Sequence, residues 1–340
     1  LSSGMLSGAE SLVLLQSLKN SRLYRADQHS YILYPNRDLS GFLRKNCLDA
    51  EQVKGSALIA KLVEQNNREL IIKDVNGLYH FNGSFRNAKD VKKALAGLQK
   101  SAEYQPLVAA EGETILALFE KIFNHAAFTG RSGTFFAYEG LGSIYWHMVS
   151  KLLLATQEVY LRAVESGAPA ETFKALAAAY YDIRMGLGFN KSPEVYGAFP
   201  TDPYSHTPAG QGAKQPGMTG QVKEEILTRL AELGLLVENG RILFKPVLMR
   251  PAEFTQQPQT FTYIDVTGQE KSLDLPTGTL AYTFCQIPVI IQAGAETKLV
   301  VRFTDGSVVE TAQSALEAET CQHIFQRDNI VKQITYFLKK

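Results

Sequence analysis

Two acids of this chain, Glu139 and Asp202, sit in loop sequences dense in glycine, proline and aromatic residues. Carboxylates in such places are candidates for glycosyl transfer. That chemistry needs a proton donor at the leaving oxygen and, in hydrolysis, a second group to activate water or attack. The two carboxyls then lie roughly 5–10 Å apart across the sugar. Asp202 falls in residues 191–220, KSPEVYGAFPTDPYSHTPAGQGAKQPGMTG, which hold five prolines and five glycines. A stretch this long without a helical or strand period is usually functional. Its Tyr204, His206, Lys214 and Gln215 supply a hydroxyl, an imidazole, an ammonium and an amide. Neighbouring prolines fix the backbone and so hold such groups at low entropic cost.

Glu139 and Arg131 belong to a second glycine-rich stretch, residues 129–143, that leads into a helix carrying Trp146, His147 and Lys151. The spacings GxGxxG and GxxxxGK[ST] are both absent, so no nucleotide loop is expected. His147 and Lys151, four apart, share one helix face. A third cluster, residues 22–37, adds Arg25, Asp27, Gln28, His29, Tyr31 and Tyr34, with stacking and hydrogen-bonding capacity of the kind sugars use. Metal ligation has little support. The six histidines are dispersed, no HxxxH occurs, and Cys47, Cys285 and Cys321 show no CxxC spacing. Cys285, inside an apolar run, reads as a small core residue. No cofactor and no metal are expected.

The elements that must position these groups change character along the chain. Apolar residues at three-and-four spacing predict helices over 9–20, 49–65, 88–100, 111–125, 143–166, 171–187 and 221–233. Asn76-Gly77 between two apolar runs predicts a hairpin over 69–81. After Gly234 the period shortens, with strands expected over 235–237, 241–244, 261–266, 273–275, 280–291, 298–303, 307–309 and 329–337. The chain is therefore expected to be α+β and multidomain, with a helical domain over 1–234 and an all-β, sandwich-like domain over 235–340. Its 340 residues include 35 basic and 34 acidic ones, a balance that excludes a polyanion-tracking protein and any nucleic-acid partner of that kind. No run of eighteen apolar residues occurs, so no membrane span is expected. The compartment stays open.

The segments GTFFAYEGLGSIYWHM (133–148) and YGAFPTDPYSHTPAGQGAKQPGMTGQVKEE (196–225), set in this helix-then-strand order, resemble the cellobiose-phosphorylase-like glycoside hydrolases. The resemblance implies a helical α/α toroid followed by a C-terminal β-sandwich, and an oligo- or polysaccharide substrate. It brings no diagnostic catalytic motif, so the site residues are those the chemistry selects. Asp202 or Glu139 would protonate the leaving oxygen. Arg131, Tyr204, His206, Gln215 and Lys214 would hold sugar hydroxyls or phosphate, with Trp146 and His147 beside them. Fewer long helices are readable than a closed toroid needs, and the chain begins at Leu1. An upstream part of the same protein is therefore expected to complete the barrel. Two alternatives stand beside this reading: a non-catalytic glycan-binding or interaction region, and a polysaccharide lyase in which Tyr204 and His206 act on an acidic sugar.

Overall fold

The structure, a computed structural model, describes residues 1–36, 46–123, 141–199, 204–216 and 221–339. It is an α+β multidomain arrangement with two compact units. One unit comprises Gln16–Val149 and Gly186–Gly217; the other comprises Leu1–Leu15, Ser150–Met185 and Met218–Lys340.

In the first unit, short helices Ala50–Lys54 and Ala57–Glu64 precede a hairpin of Ile71–Lys73 and Tyr79–Phe81. Helices Ala88–Leu98 and Gln105–Phe123 follow. Side-chain caps explain where the helices start. Asp49 and Gln52 form a reciprocal capping box, Ser56 accepts from Ile59 N, and Asn87 accepts from Lys89 N. The expected helix over 49–65 is thus two helices, broken at Gly55-Ser56, because Ser56 caps the second. The apolar stripes Leu58, Ile59, Leu62 and Val91, Leu95, Leu98 meet Phe81, Ile115 and Phe119 in one core. Phe81 and Phe119 pack edge to face at 5.1 Å.

One carboxylate ties two of these helices together. Glu111 accepts from the Ser56 hydroxyl and from Ala57 N (3.0 Å) and Leu58 N (3.1 Å), the unpaired amides at the start of Ala57–Glu64. It serves as a cap donated by a distant helix, placed where the helix dipole favours negative charge.

In the second unit, helices Ala170–Met185 and Gln221–Glu232 join residues 150–165 of the helix Trp146–Glu165. Gly8 lies against Ala163, Thr172 and Leu176, so close that a side chain there would press on the Ala163 methyl. Gln157 donates to Thr228 O at 2.9 Å and to the Tyr180 hydroxyl at 3.3 Å. The Tyr180 hydroxyl donates to Glu232 Oε1 at 2.5 Å. The Glu232 side chain is wholly buried and pairs with Arg184 and with Arg229 (2.7 Å). Burial, and then the Glu232 charge, push the Tyr180 hydroxyl far above its ordinary range.

The C-terminal stretch forms a hairpin, Leu235–Glu238 with Arg241–Phe244, and a five-stranded sheet. The sheet order is Thr279–Phe284, Ile287–Gly294, Val331–Lys339, Lys298–Phe303, Val308–Thr311. Only the pair Ile287–Gly294 and Val331–Lys339 is parallel. Its core face (Val289, Ile291, Leu299, Val301, Ile334, Tyr336) packs with Leu235, Ile242 and Phe244 of the hairpin and with Cys321 and Ile324. Those last two lie on the helix Ala318–Gln326, so this region is not purely β as expected. The parallel pairing requires a crossover, and this helix lies within it. The expected strand over 280–291 is really two, turning at Cys285-Gln286, where both residues hold positive φ (49° and 65°) without a glycine. Cys285 is half-buried at that turn rather than inside a strand.

Two stability changes follow. Glu111→Ala strips three donors of their acceptor and should cost about 2 kcal/mol in denaturant unfolding. Glu232→Ala leaves Arg184 without its buried partner and should cost about 3 kcal/mol.

Candidate functional site

The stretch expected to be a loop over 191–220 contains regular structure. Ser192 caps a single-turn helix, Pro193–Tyr196, with Pro193 in its first turn and Gly197 ending it at φ 77°. The strands Tyr204–Thr207 and Lys214–Pro216 come next and pair with each other, and Tyr204–Thr207 also pairs with Ile144–Tyr145. In this sheet Tyr145 faces His206, and His206 faces Lys214. Gly197 and Gly212 approach so closely that a side chain on either would strike the other's backbone. Gly188 is equally constrained by the ring of Tyr196. The glycines thus serve tight packing here.

Around this sheet the rings gather in two groups. Trp146 meets Tyr196 edge-on at 5.5 Å, and Tyr196 meets Tyr204 at 5.8 Å. Tyr145 stacks on His206 at 5.9 Å and lies 6.1 Å from His147. Trp146 is fully buried, and its indole N–H donates to Thr207 Oγ1 at 3.1 Å. It therefore forms the floor beneath the cluster. Tyr204, His206 and His147 are partly exposed, and the Lys214 ammonium stands at the exposed edge.

Two cations reinforce the cluster. Arg25 is the stronger fastener. Its Nη1 donates to the carbonyls of Gly142 (3.2 Å), Thr207 (3.1 Å) and Pro208 (3.1 Å). Its Nε and Nη2 grip Asp27 at 3.0 and 2.6 Å. The Arg25 hydrogen bond holds the Asp27 carboxyl below its usual range. Lys191 lies with Nζ 4.5 Å from the centre of the Trp146 ring and donates to Gln28 Oε1 at 3.1 Å. Gln28 in turn donates to Val195 O at 2.6 Å. Burial, reinforced by the Arg25 charge, lowers the Lys191 ammonium to about 7, with Asp27 opposing the shift.

The expected site residues thus fall into two sets. Trp146, His147, Tyr204, His206 and Lys214 are gathered in one unit around one small sheet. Asp202, Glu139 and Arg131 lie outside the described residues, as does the side chain of Gln215. Lys191 is absent from the sequence-derived set. Its partner Gln28 is 163 residues away in the chain, and no local motif connects them. Among the described residues, no helix is long and apolar enough to cross a membrane.

The aromatic sheet shares its unit with the helical core described above, and that core carries the decisive likeness. Residues 39–126 match the family model described as GH149 phosphorylase insertion domain 2. This part of the chain is similar to a domain of glycoside phosphorylases. No curated protein matches the chain. The likeness supports a relationship to glycoside hydrolases and phosphorylases.

The buried ammonium makes this unit sensitive to pH. With its folded value near 7 and an unfolded value of about 10.4, Lys191 binds fewer protons folded than unfolded between those limits. Unfolding free energy should therefore rise as pH climbs from about 7 to about 10. Lys191→Met should flatten that rise in urea titrations at several pH values.

Proposed function

We propose that this chain is part of a glycoside phosphorylase-type enzyme that transfers a glycosyl unit from an oligo- or polysaccharide to phosphate. The likeness of residues 39–126 to a phosphorylase insertion domain carries this reading. The gathered rings and polar groups of Tyr145, Tyr204, His206 and Lys214 support it, since sugars are held by planar faces and fixed donors. With phosphate as the nucleophile, one carboxyl suffices as the acid at the leaving oxygen, and Asp202 or Glu139 takes that role. Arg131, His206 and Lys214 then bind the phosphate oxygens, and Gln215 and His147 bind sugar hydroxyls. In this proposal residues 1–234 supply part of a helical toroid, completed by an upstream part of the same protein, and 235–340 form its C-terminal β domain.

A second reading, glycan binding without turnover, has an observation of its own. The C-terminal unit carries an open groove of about 420 Å³ lined by Tyr263, Lys271, Ser272, Gln286, Thr304 and Asn329, among others. An aromatic ring among amides and hydroxyls is suited to a sugar chain.

The full-length protein, given oligo- and polysaccharides of different sugar and linkage and inorganic phosphate, should release sugar 1-phosphate. Asp202→Asn or Glu139→Gln should reduce that release at least about a hundredfold while leaving glycan affinity intact. Wild-type activity in both variants would refute the assignment of the acid. Glycan binding with no phosphate-dependent product would favour the second reading.

A further inference from the structure

We propose that Cys47 is a reactive thiol, a site at which small disulfides exchange with the chain, activated by His80 and Asp74. The three side chains form a line. Cys47 Sγ lies 3.7 Å from His80 Nδ1, and His80 Nε2 lies 2.9 Å from Asp74 Oδ2. Asp74 is fixed at the Asn76-Gly77 turn, where its other oxygen accepts from Asn76 N (2.8 Å) and Leu78 N (2.9 Å). The hydrogen bond from His80 is the main reason its carboxyl lies below the ordinary range.

The imidazole has an unusual set of neighbours. Its Nδ1 also stands 2.7 Å from the carbonyl oxygen of Asn46, a group that can only accept. Both ring nitrogens therefore face acceptors. An imidazole held beside a cysteine sulfur is a usual setting for a reactive thiol, whose thiolate is the attacking species.

Backbone pairing holds the cysteine in place. Leu48 N donates to Tyr79 O at 2.8 Å, and the Asn46 amide bonds both Phe81 N (3.0 Å) and Phe81 O (2.9 Å). Cys47 is thereby clamped between two residues docked on the strand that carries His80. The sulfur and the Asp74 carboxylate stand at opposite ends of the ring, so the trio does not converge on a point where a metal ion could sit. The other two thiols differ. Cys321 is wholly buried and accepts from Ile242 N at 3.3 Å, while Cys285 packs at the edge of the C-terminal core.

The step is a thiol–disulfide exchange. Cys47 Sγ attacks one sulfur of the small disulfide and a new S–S bond forms. The original S–S bond breaks, and the released thiolate departs with the electron pair. The thiol proton passes to water. The protein is oxidised to a mixed disulfide as half of the reagent is reduced to a thiol.

The test treats the full chain with Ellman's disulfide and follows each cysteine by peptide mass spectrometry. Cys47 should react at least about tenfold faster than Cys285, and faster in the native chain than in the same chain unfolded in urea. Accessibility alone would make the native rate the slower one. His80→Gln should bring the Cys47 rate down to or below that of the unfolded chain. Asp74→Asn, which keeps an acceptor oxygen for the turn, serves the same purpose if the histidine variant melts early. Native protection of Cys47 overturns the proposal, as does an unchanged rate in a folded His80 or Asp74 variant.

Discussion

One guanidinium organises the aromatic sheet. Arg25 spends a single nitrogen on three carbonyls, those of Gly142, Thr207 and Pro208, and its other face on Asp27. The side chain is only 12% exposed, so the clamp works where water competes little. It joins a residue near the start of the chain to segments more than a hundred residues further on. The strand Tyr204–Thr207 owes its place to that clamp as much as to its own ladder. Its two ladder partners are the short strands Ile144–Tyr145 and Lys214–Pro216. A lysine could offer the charge, but its three N–H groups leave one nitrogen, whereas the five of the guanidinium let Nη1 serve the carbonyls while Nε and Nη2 grip the carboxylate.

The clamp also bears on Lys191. Burial disfavours its ammonium, and the Arg25 charge in the same partly buried site disfavours it further. The Trp146 face and the Gln28 carbonyl oxygen draw the other way. The group is therefore poised near neutrality while packed against the ring that floors the cluster. Charge on Lys191 and the setting of Trp146 are coupled through direct contact.

Much of the scaffold was legible because local rules were enough. The hairpin at Asn76-Gly77 forms as its turn residues demand, with Gly77 at φ 82°. The apolar spacing over 88–100 predicted a helix, and Val91, Leu95 and Leu98 are its buried residues. The turn at Cys285-Gln286 was hidden because neither residue is a usual occupant of positive φ, so the apolar run read as one strand. The helix Ala318–Gln326 was hidden by its length, only nine residues, and by a mixed polar and apolar composition with no capping side chain. In the candidate site, residue types were visible and partners were not. The sequence marks Tyr204 and His206 as rich in chemistry, but their neighbours Tyr196 and Tyr145 follow from sheet register and ring packing.

Glycine and proline in residues 191–220 illustrate how composition can mislead and still inform. Read locally, they suggest an irregular loop. In space, Gly188 makes room for the Tyr196 ring, and Gly197 and Gly212 let two backbones touch. Each admits no larger side chain, so the segment is packed like a core although it is punctuated like a turn. Such packing gives the rings fixed positions. The same logic explains why Trp146 is buried: its ring packs against Tyr196 and Lys191, while Tyr204 and Tyr145 are partly exposed.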